Sequence, residues 1–120
     1  MIKLHYLILC CALFSFACNS EDEDFEPTAA CGVNDAISDL PWLKAKYEGL
    51  STGELSEYSY LVQAELEGET VFYMGSCCPF CNWAIILYDC AGNSVEYNAT
   101  EDELVDGKVI WQPENSVCQF

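Results

Sequence analysis

Four cysteines crowd into the seventeen residues SCCPFCNWAIILYDCAG, Ser76 to Gly92, and theirs are the side chains whose type and spacing bring chemistry within reach. Cys78-Pro79-Phe80-Cys81 is a C-x-x-C pair, flanked by Cys77 and followed by Cys90. Three chemistries use such a set. A dithiol that cycles with its disulfide exchanges electrons with other thiols. Four thiolates, here Cys77, Cys78, Cys81 and Cys90, close a structural zinc cage. In an exported domain, cysteines cross-link as staples.

The three are separated by what surrounds them. The Cys78 to Cys81 motif resembles the active sites of thioredoxin-like and periplasmic disulfide-exchange proteins, which implies thiol-disulfide exchange. That chemistry needs the first cysteine at a helix N-terminus, where the dipole stabilises a thiolate. Here Trp83 to Tyr88, WAIILY, is β-branched and aromatic and predicts a strand. No basic residue lies within twenty-five positions of the motif on either side to lower a thiol pKa. The zinc cage lacks the second C-x-x-C that such sites use. Neither EDED nor TEDEL has the alternating oxygens and glycine of a calcium loop. No cofactor, metal or catalytic residue is therefore expected, and the staple is the leading reading, with thiol exchange as the alternative.

The bridges are constrained by the elements that carry them. An extended Trp83 to Asp89 separates Cys81 from Cys90 by about 30 Å, far beyond the roughly 7 Å a bridge spans. Neighbouring Cys77 and Cys78 would close a strained ring. The Cys77 to Cys81 loop is thus expected to send at least one bond to Cys31 or Cys118, and Cys90 to take the other of these two.

Around this loop the chain alternates between helical and strand periods. SDLPWLKAKYEGL, residues 38 to 50, predicts a helix capped by Ser38 or Asp39, with Pro41 in its first turn and Leu43, Tyr47 and Leu50 on one face. Trp42 is expected to pack inward. From Glu57 the period becomes two, with Tyr58, Tyr60, Val62, Ala64 and Leu66 on one side of a half-buried strand. Glu67-Gly68-Glu69 turns it back into Thr70 to Met74. WAIILY, apolar without alternation, reads as a central strand covered on both faces. Asp89 to Asn93 then turns into a strand over Ser94 to Asn98. Thr100-Glu101-Asp102-Glu103 fits a capping box and predicts a helical turn before Gly107. Lys108 to Gln112 is the last strand, stopped by Pro113. The fold class is α+β: a single domain over residues 31 to 120, an antiparallel sheet of about five strands with one N-terminal helix laid on it, stapled by disulfides. The sheet's second face is expected to be wet, with several tyrosines on it.

Composition removes whole classes of function. The chain has 120 residues, twenty of them acidic and four basic, with a formal charge of −16. All four cations are lysines, Lys3, Lys44, Lys46 and Lys108. Nucleic acid is excluded as a partner, because phosphate neutralisation needs Lys and Arg. The single histidine, His5, lies in the first eighteen residues, so a downstream Ser or Cys nucleophile lacks its usual base.

Those eighteen residues, MIKLHYLILCCALFSFAC, carry Lys3 and then a run from Leu4 to Phe16 that is apolar apart from His5 and Ser15. A run of about 13 is short of the roughly 20 needed to span a bilayer, so residues 1–17 read as an export signal. Ser15 to Cys18 resembles the lipobox of bacterial lipoproteins, in which a small residue, here Ala17, precedes the cysteine that becomes lipidated. Ser15 stands where leucine is commonest. Cys10 and Cys11 would cut the apolar run in half, which leaves Cys18. The run Ser20, Glu21, Asp22, Glu23, Asp24 reads as a solvated acidic linker, and it resembles the tag that some Gram-negative bacteria use to send lipoproteins to the outer face of the outer membrane. Residues 18–30 are then a lipidated cysteine and a tether, whose 12 residues from Asn19 to Ala30 reach about 40 Å at full stretch. With Cys10 and Cys11 discarded and Cys18 lipidated, six cysteines remain as disulfide candidates: Cys31, Cys77, Cys78, Cys81, Cys90 and Cys118.

DLPWLK from Asp39, VFYMGSCCPFCNWAIILYDCAGN and KVIWQPENSVCQF are similar to a family of small bacterial outer-membrane lipoproteins to which no activity or catalytic residues are assigned. The resemblance implies export, lipidation and a compact cysteine-containing fold. Together these readings predict a non-enzymatic binding or structural module, held on the outer membrane through its N-terminal lipid and exposed at the cell surface. Its ligand would be a glycan, a peptide or a protein. Trp42, Trp83 and Trp111 are each expected in the core.

Overall fold

The computed structural model describes residues 27–98 and 102–120. They form an α+β domain: a five-stranded antiparallel sheet with helices on one face and three disulfides.

Two helices stand where one was predicted. α1 is a single turn, Ala36–Asp39, and α2 runs from Pro41–Thr52. Leu40 separates them with φ −97° and ψ 106°, because the residue before a proline is driven out of helical geometry. The expected cap at Ser38 or Asp39 is therefore wrong: both residues belong to α1, whose cap is Asp35, accepting from the Ile37 N–H at 3.2 Å. Pro41 opens α2 at a position where no N–H is needed. Leu43 is fully buried, Tyr47 and Leu50 are half-buried, and Trp42 packs inward against the core as expected.

A 3-10 turn, Ser56–Tyr58, leads into β1, Ser59–Leu66, which returns as β2, Glu69–Ser76. The two-residue turn has φ 52° at Glu67 and 82° at Gly68, the left-handed pair that matches the twist of a hairpin. The strand order is β4-β3-β2-β1-β5, with β3 at Leu87–Tyr88, β4 at Ser94–Val95 and β5 at Leu104–Trp111.

The centre of the sheet is thus β1 and β2, and the expectation of a central strand over WAIILY is corrected. Only Leu87 and Tyr88 pair, through Phe72 and through β4. Continuing that register would set Ala84 opposite Ser76, but Cys77 and Cys78, just beyond, are both committed to bridges that turn the chain away. The indole N–H of Trp83 instead donates to the Met74 carbonyl on β2 at 2.9 Å. Among the described residues the helical turn expected before Gly107 does not form: Leu104 and Val105 pair with Leu66 and Glu65 in β5. Thr100 and Glu101 of its capping box lie outside the described residues. The Ser94 to Asn98 strand shortens to two residues.

β1 is buried on both faces, not on one. Toward the helices, Leu61 joins Phe72, Ile110, Leu43 and Ala36 in the main core. On the other face Ala64, Leu66, Val71 and Leu87 form a smaller one, rimmed by Tyr73, Val95, Tyr97 and Leu104. This second face is therefore not fully wet, although half-buried Tyr60, Tyr73 and Tyr97 lie on it as expected. Burial of Tyr73, helped by Tyr60 and Tyr97, raises its pKa above the ordinary phenol value.

Candidate functional site

The six cysteines pair as Cys31–Cys90, Cys77–Cys118 and Cys78–Cys81. Cys81 and Cys90 do not bond, the Cys77 to Cys81 loop sends one bond to Cys118, and Cys90 takes Cys31. With every one of these sulfurs in a bridge, none is left as a thiolate for the zinc cage. Among the described residues no three His, Cys, Asp or Glu side chains converge on a metal-sized site.

The bridges sit at opposite ends of the sheet. At the hairpin-turn end, Cys90 lies beside Glu69 and Thr70 and holds Cys31, the start of the domain. The Trp42 indole N–H donates to the Cys90 carbonyl at 3.0 Å. Gly92, at φ 84°, lets this turn pass directly under the Trp42 ring, whose nearest carbon would be 2.7 Å from a methyl group added there. Asp89 orders the turn by accepting from the N–H groups of Ala91 and Asn93, both at 2.9 Å.

The other two bridges lie at the far end, about 23 Å along β2. The Cys77 N–H donates to the Tyr58 carbonyl at 2.9 Å, and the Val117 N–H to the Glu57 carbonyl at 3.0 Å. Cys77–Cys118 thereby ties the closing segment, residues 113–120, across the start of β1. Phe120 packs edge-on to Tyr60 with centroids 4.8 Å apart, and Phe80 edge-on to Tyr58 at 5.7 Å. The Tyr60 ring in turn crosses Gly75 on the neighbouring strand, where any side chain would overlap it.

Among the described residues, all the large apolar side chains left exposed except Val105 gather toward this far end. They are Leu55, Phe80, Trp83, Ile85, Ile86, Val117 and Phe120. Phe80 and Phe120 are 72 % exposed and Ile86 51 %. The expectation of a core Trp83 is overturned: it is 45 % exposed and forms the wall between two recesses. One, of about 230 Å³, is lined by Met74, Trp83, Ala84, Ile86 and Tyr88. The other, of about 330 Å³, is lined by Gly49, Leu50, Gly53, Leu55 and Ser59 along with Trp83. The Lys46 ammonium stands 4.4 Å from the centre of the Tyr88 ring.

An apolar loop held open to water needs a brace against collapse. Cys78–Cys81 closes its first turn around Pro79 and Phe80, and the Trp83 to Met74 hydrogen bond fixes its middle. Sequence reasoning missed this surface because an unbroken apolar run reads as buried strand. The signal beside it is Cys-Pro-Phe-Cys directly upstream, whose bridge closes a tight turn where the run begins.

Cys18 and the run Ser20, Glu21, Asp22, Glu23, Asp24 lie outside the described residues, as do residues 1–17. Among the described residues no helix is long and apolar enough to cross a membrane. The fold and the surface define a small disulfide-stapled α+β domain with one apolar end. Comparison with protein-family models, curated proteins and solved structures finds no match to this chain.

Proposed function

We propose that this chain is a non-enzymatic binding module, carried on the outer membrane by a lipid on Cys18 and presenting its apolar end away from that membrane. The observation that carries the reading is the separation of the two ends. The chain enters the domain at Cys31, stapled to the turn end by Cys90, and the exposed Phe80, Trp83, Ile85 and Ile86 lie toward the opposite end. Exposed apolar side chains gathered at one end of a domain in this way mark an interaction site. An N-terminal lipid hangs the domain by its turn end, and the acidic run Ser20 to Asp24 extends the tether by like-charge repulsion. In this reading the acidic run also directs export to the outer face.

The test has two parts. Metabolic labelling with radioactive palmitate marks the wild-type chain and leaves Cys18→Ala unlabelled. Protease added to intact cells then removes the domain from wild type and spares a variant with Ser20 to Asp24 replaced by alanine. Label on the Cys18→Ala chain, or protection of the wild-type domain, defeats the proposal.

A second reading, thiol-disulfide exchange at Cys78–Cys81, is favoured by one observation. This bridge closes on itself in a surface loop, so that its reduction leaves Cys31–Cys90 and Cys77–Cys118 in place. No helix follows Cys81 to stabilise a thiolate, however, since residues 81–86 are irregular. Equilibration with glutathione buffers separates the two. A couple that glutathione reduces reversibly, at potentials of the known exchange proteins, supports exchange, and a bridge that resists glutathione supports the brace.

A further inference from the structure

The apolar end is bordered mainly by acid, and that selects among partners. Residues 48–60, 74–87 and 111–120, which build it, contain Glu48, Glu54, Glu57 and Glu114 and no lysine, arginine or histidine. Glu48, Glu54 and Glu114 are exposed, and Glu57 is half-buried. Lys44 sits in the first turn of α2 and Lys108 in mid-β5 opposite Gln63, while Lys46 stands over Tyr88 at the edge of the Met74–Trp83 recess. The apolar centre is therefore bordered by four glutamates against one lysine, a margin of net negative charge. A second copy of the chain would set acid against acid, in a molecule of net charge −16, and like charges facing each other across an interface oppose docking. Anionic lipid is disfavoured for the same reason.

We propose that this end docks a polypeptide segment whose apolar side chains are flanked by lysine or arginine. Phe80, Trp83 and Ile86 supply the desolvated contact, with Trp83 already oriented by its bond to Met74. Rigid aromatic anchors surrounded by polar margins are what binding hot spots are made of. The glutamates at the margin choose the partner by sign and speed its approach. This inference rests on the reading that the apolar end is the binding surface.

The probe is an eight-residue fluorescent peptide, four apolar residues with two lysines on each side, compared with versions flanked by glutamate or by serine. Each is titrated by anisotropy against the full chain in phosphatidylcholine nanodiscs, with empty discs as the control. The lysine-flanked peptide binds, weakens as salt rises from about 50 to about 300 mM as screening demands, and outcompetes the serine-flanked version. The double variant Phe80→Asp/Ile86→Asp loses about tenfold or more in affinity, although it adds negative charge. The surface variant Glu54→Gln/Glu114→Gln, at two exposed positions, loses about threefold for the lysine-flanked peptide alone. If Phe80→Asp/Ile86→Asp binds as well as wild type or better, the contact is diffuse attraction to acid and the inference fails. If serine- and lysine-flanked peptides bind equally, the apolar end binds but does not select by charge; the inference falls and the underlying reading stands. If none binds beyond empty discs, both fall.

Discussion

Removing the bridges one at a time separates staples of the fold from the brace of a loop. Chain-entropy loss grows with the length of loop that a disulfide closes. Cys31–Cys90 and Cys77–Cys118 span 59 and 41 residues, and Cys78–Cys81 spans only 3. The first two are then worth about 4 kcal/mol each and the third about 2 kcal/mol. For a domain of this size that corresponds to a fall in Tm of about 20 °C for Cys31→Ala/Cys90→Ala or Cys77→Ala/Cys118→Ala, and about 10 °C for Cys78→Ala/Cys81→Ala. Packing widens the gap. Cys31 is packed against the main core, and Cys77–Cys118 holds Val117 against Glu57, whereas Cys78–Cys81 encloses exposed Pro79 and Phe80. The assay is thermal unfolding of the full chain by far-ultraviolet circular dichroism without reductant, with mass spectrometry confirming that the two remaining bridges are intact. If Cys78→Ala/Cys81→Ala lowers Tm as far as Cys77→Ala/Cys118→Ala, the loop is part of the cooperative core, and the view of it as a braced surface is wrong.

Three further perturbations test the packing. Phe72 is fully buried under Trp42, with ring centroids 5.8 Å apart, so Phe72→Ala costs about 3–5 kcal/mol in urea unfolding; a loss under about 1 kcal/mol would place the core elsewhere. Gly92→Ala strains a left-handed residue and pushes on the Trp42 ring, with an expected loss of about 2 kcal/mol or more and a changed Trp42 emission, whereas an unchanged Tm contradicts the close approach. Tyr73 holds its proton more tightly in the fold than in the unfolded chain, so its contribution is fully present below about pH 10, the unfolded phenol value, and is lost as pH rises through the higher folded value. Phenolate absorbance should show one late-titrating tyrosine that disappears in Tyr73→Phe, and Tyr73→Phe should flatten the alkaline fall in stability.

Where local chemistry agreed with tertiary demand, the architecture was legible. Leu43, Tyr47 and Leu50 marked the helix, the Glu67-Gly68 turn marked the central hairpin, and Pro113 marked the end of β5. Strand length excluded Cys81–Cys90 and sent one bond from the Cys77 to Cys81 loop to a terminal cysteine, but it left open which terminal cysteine each partner takes and that Cys78 closes on Cys81. What failed did so for three physical reasons. Leu40 obeys the proline after it rather than the helical period around it. Leu104 and Val105 join β1 because its edge carbonyls and N–H groups need partners, which outweighs a capping-box pattern four residues long. WAIILY leaves the sheet because covalent closure at Cys78–Cys81 overrides its strand propensity. That last failure falls on the surface with the strongest claim to function, where a sequence departs from folding rules at the expense of exposed apolar area.

The same departure also says which half of the domain is free to vary. The turn end is locked by Cys31–Cys90, the Trp42 indole and the Asp89 carboxylate, and loss of any of these loosens the packing of the turn on α2. At the far end Phe80, Ile85 and Ile86 are exposed, and beyond the Phe80 edge contact to Tyr58 they stabilise little, since exposed positions seldom shift stability by more than about 0.5 kcal/mol. Phe80→Ser, Ile85→Ser and Ile86→Ser are therefore expected to leave Tm within about 2–4 °C of wild type, or to raise solubility, while removing binding. Melting curves and the peptide titration on the same variants decide it. A steep loss of stability would make these side chains part of the core and deprive the apolar end of its role.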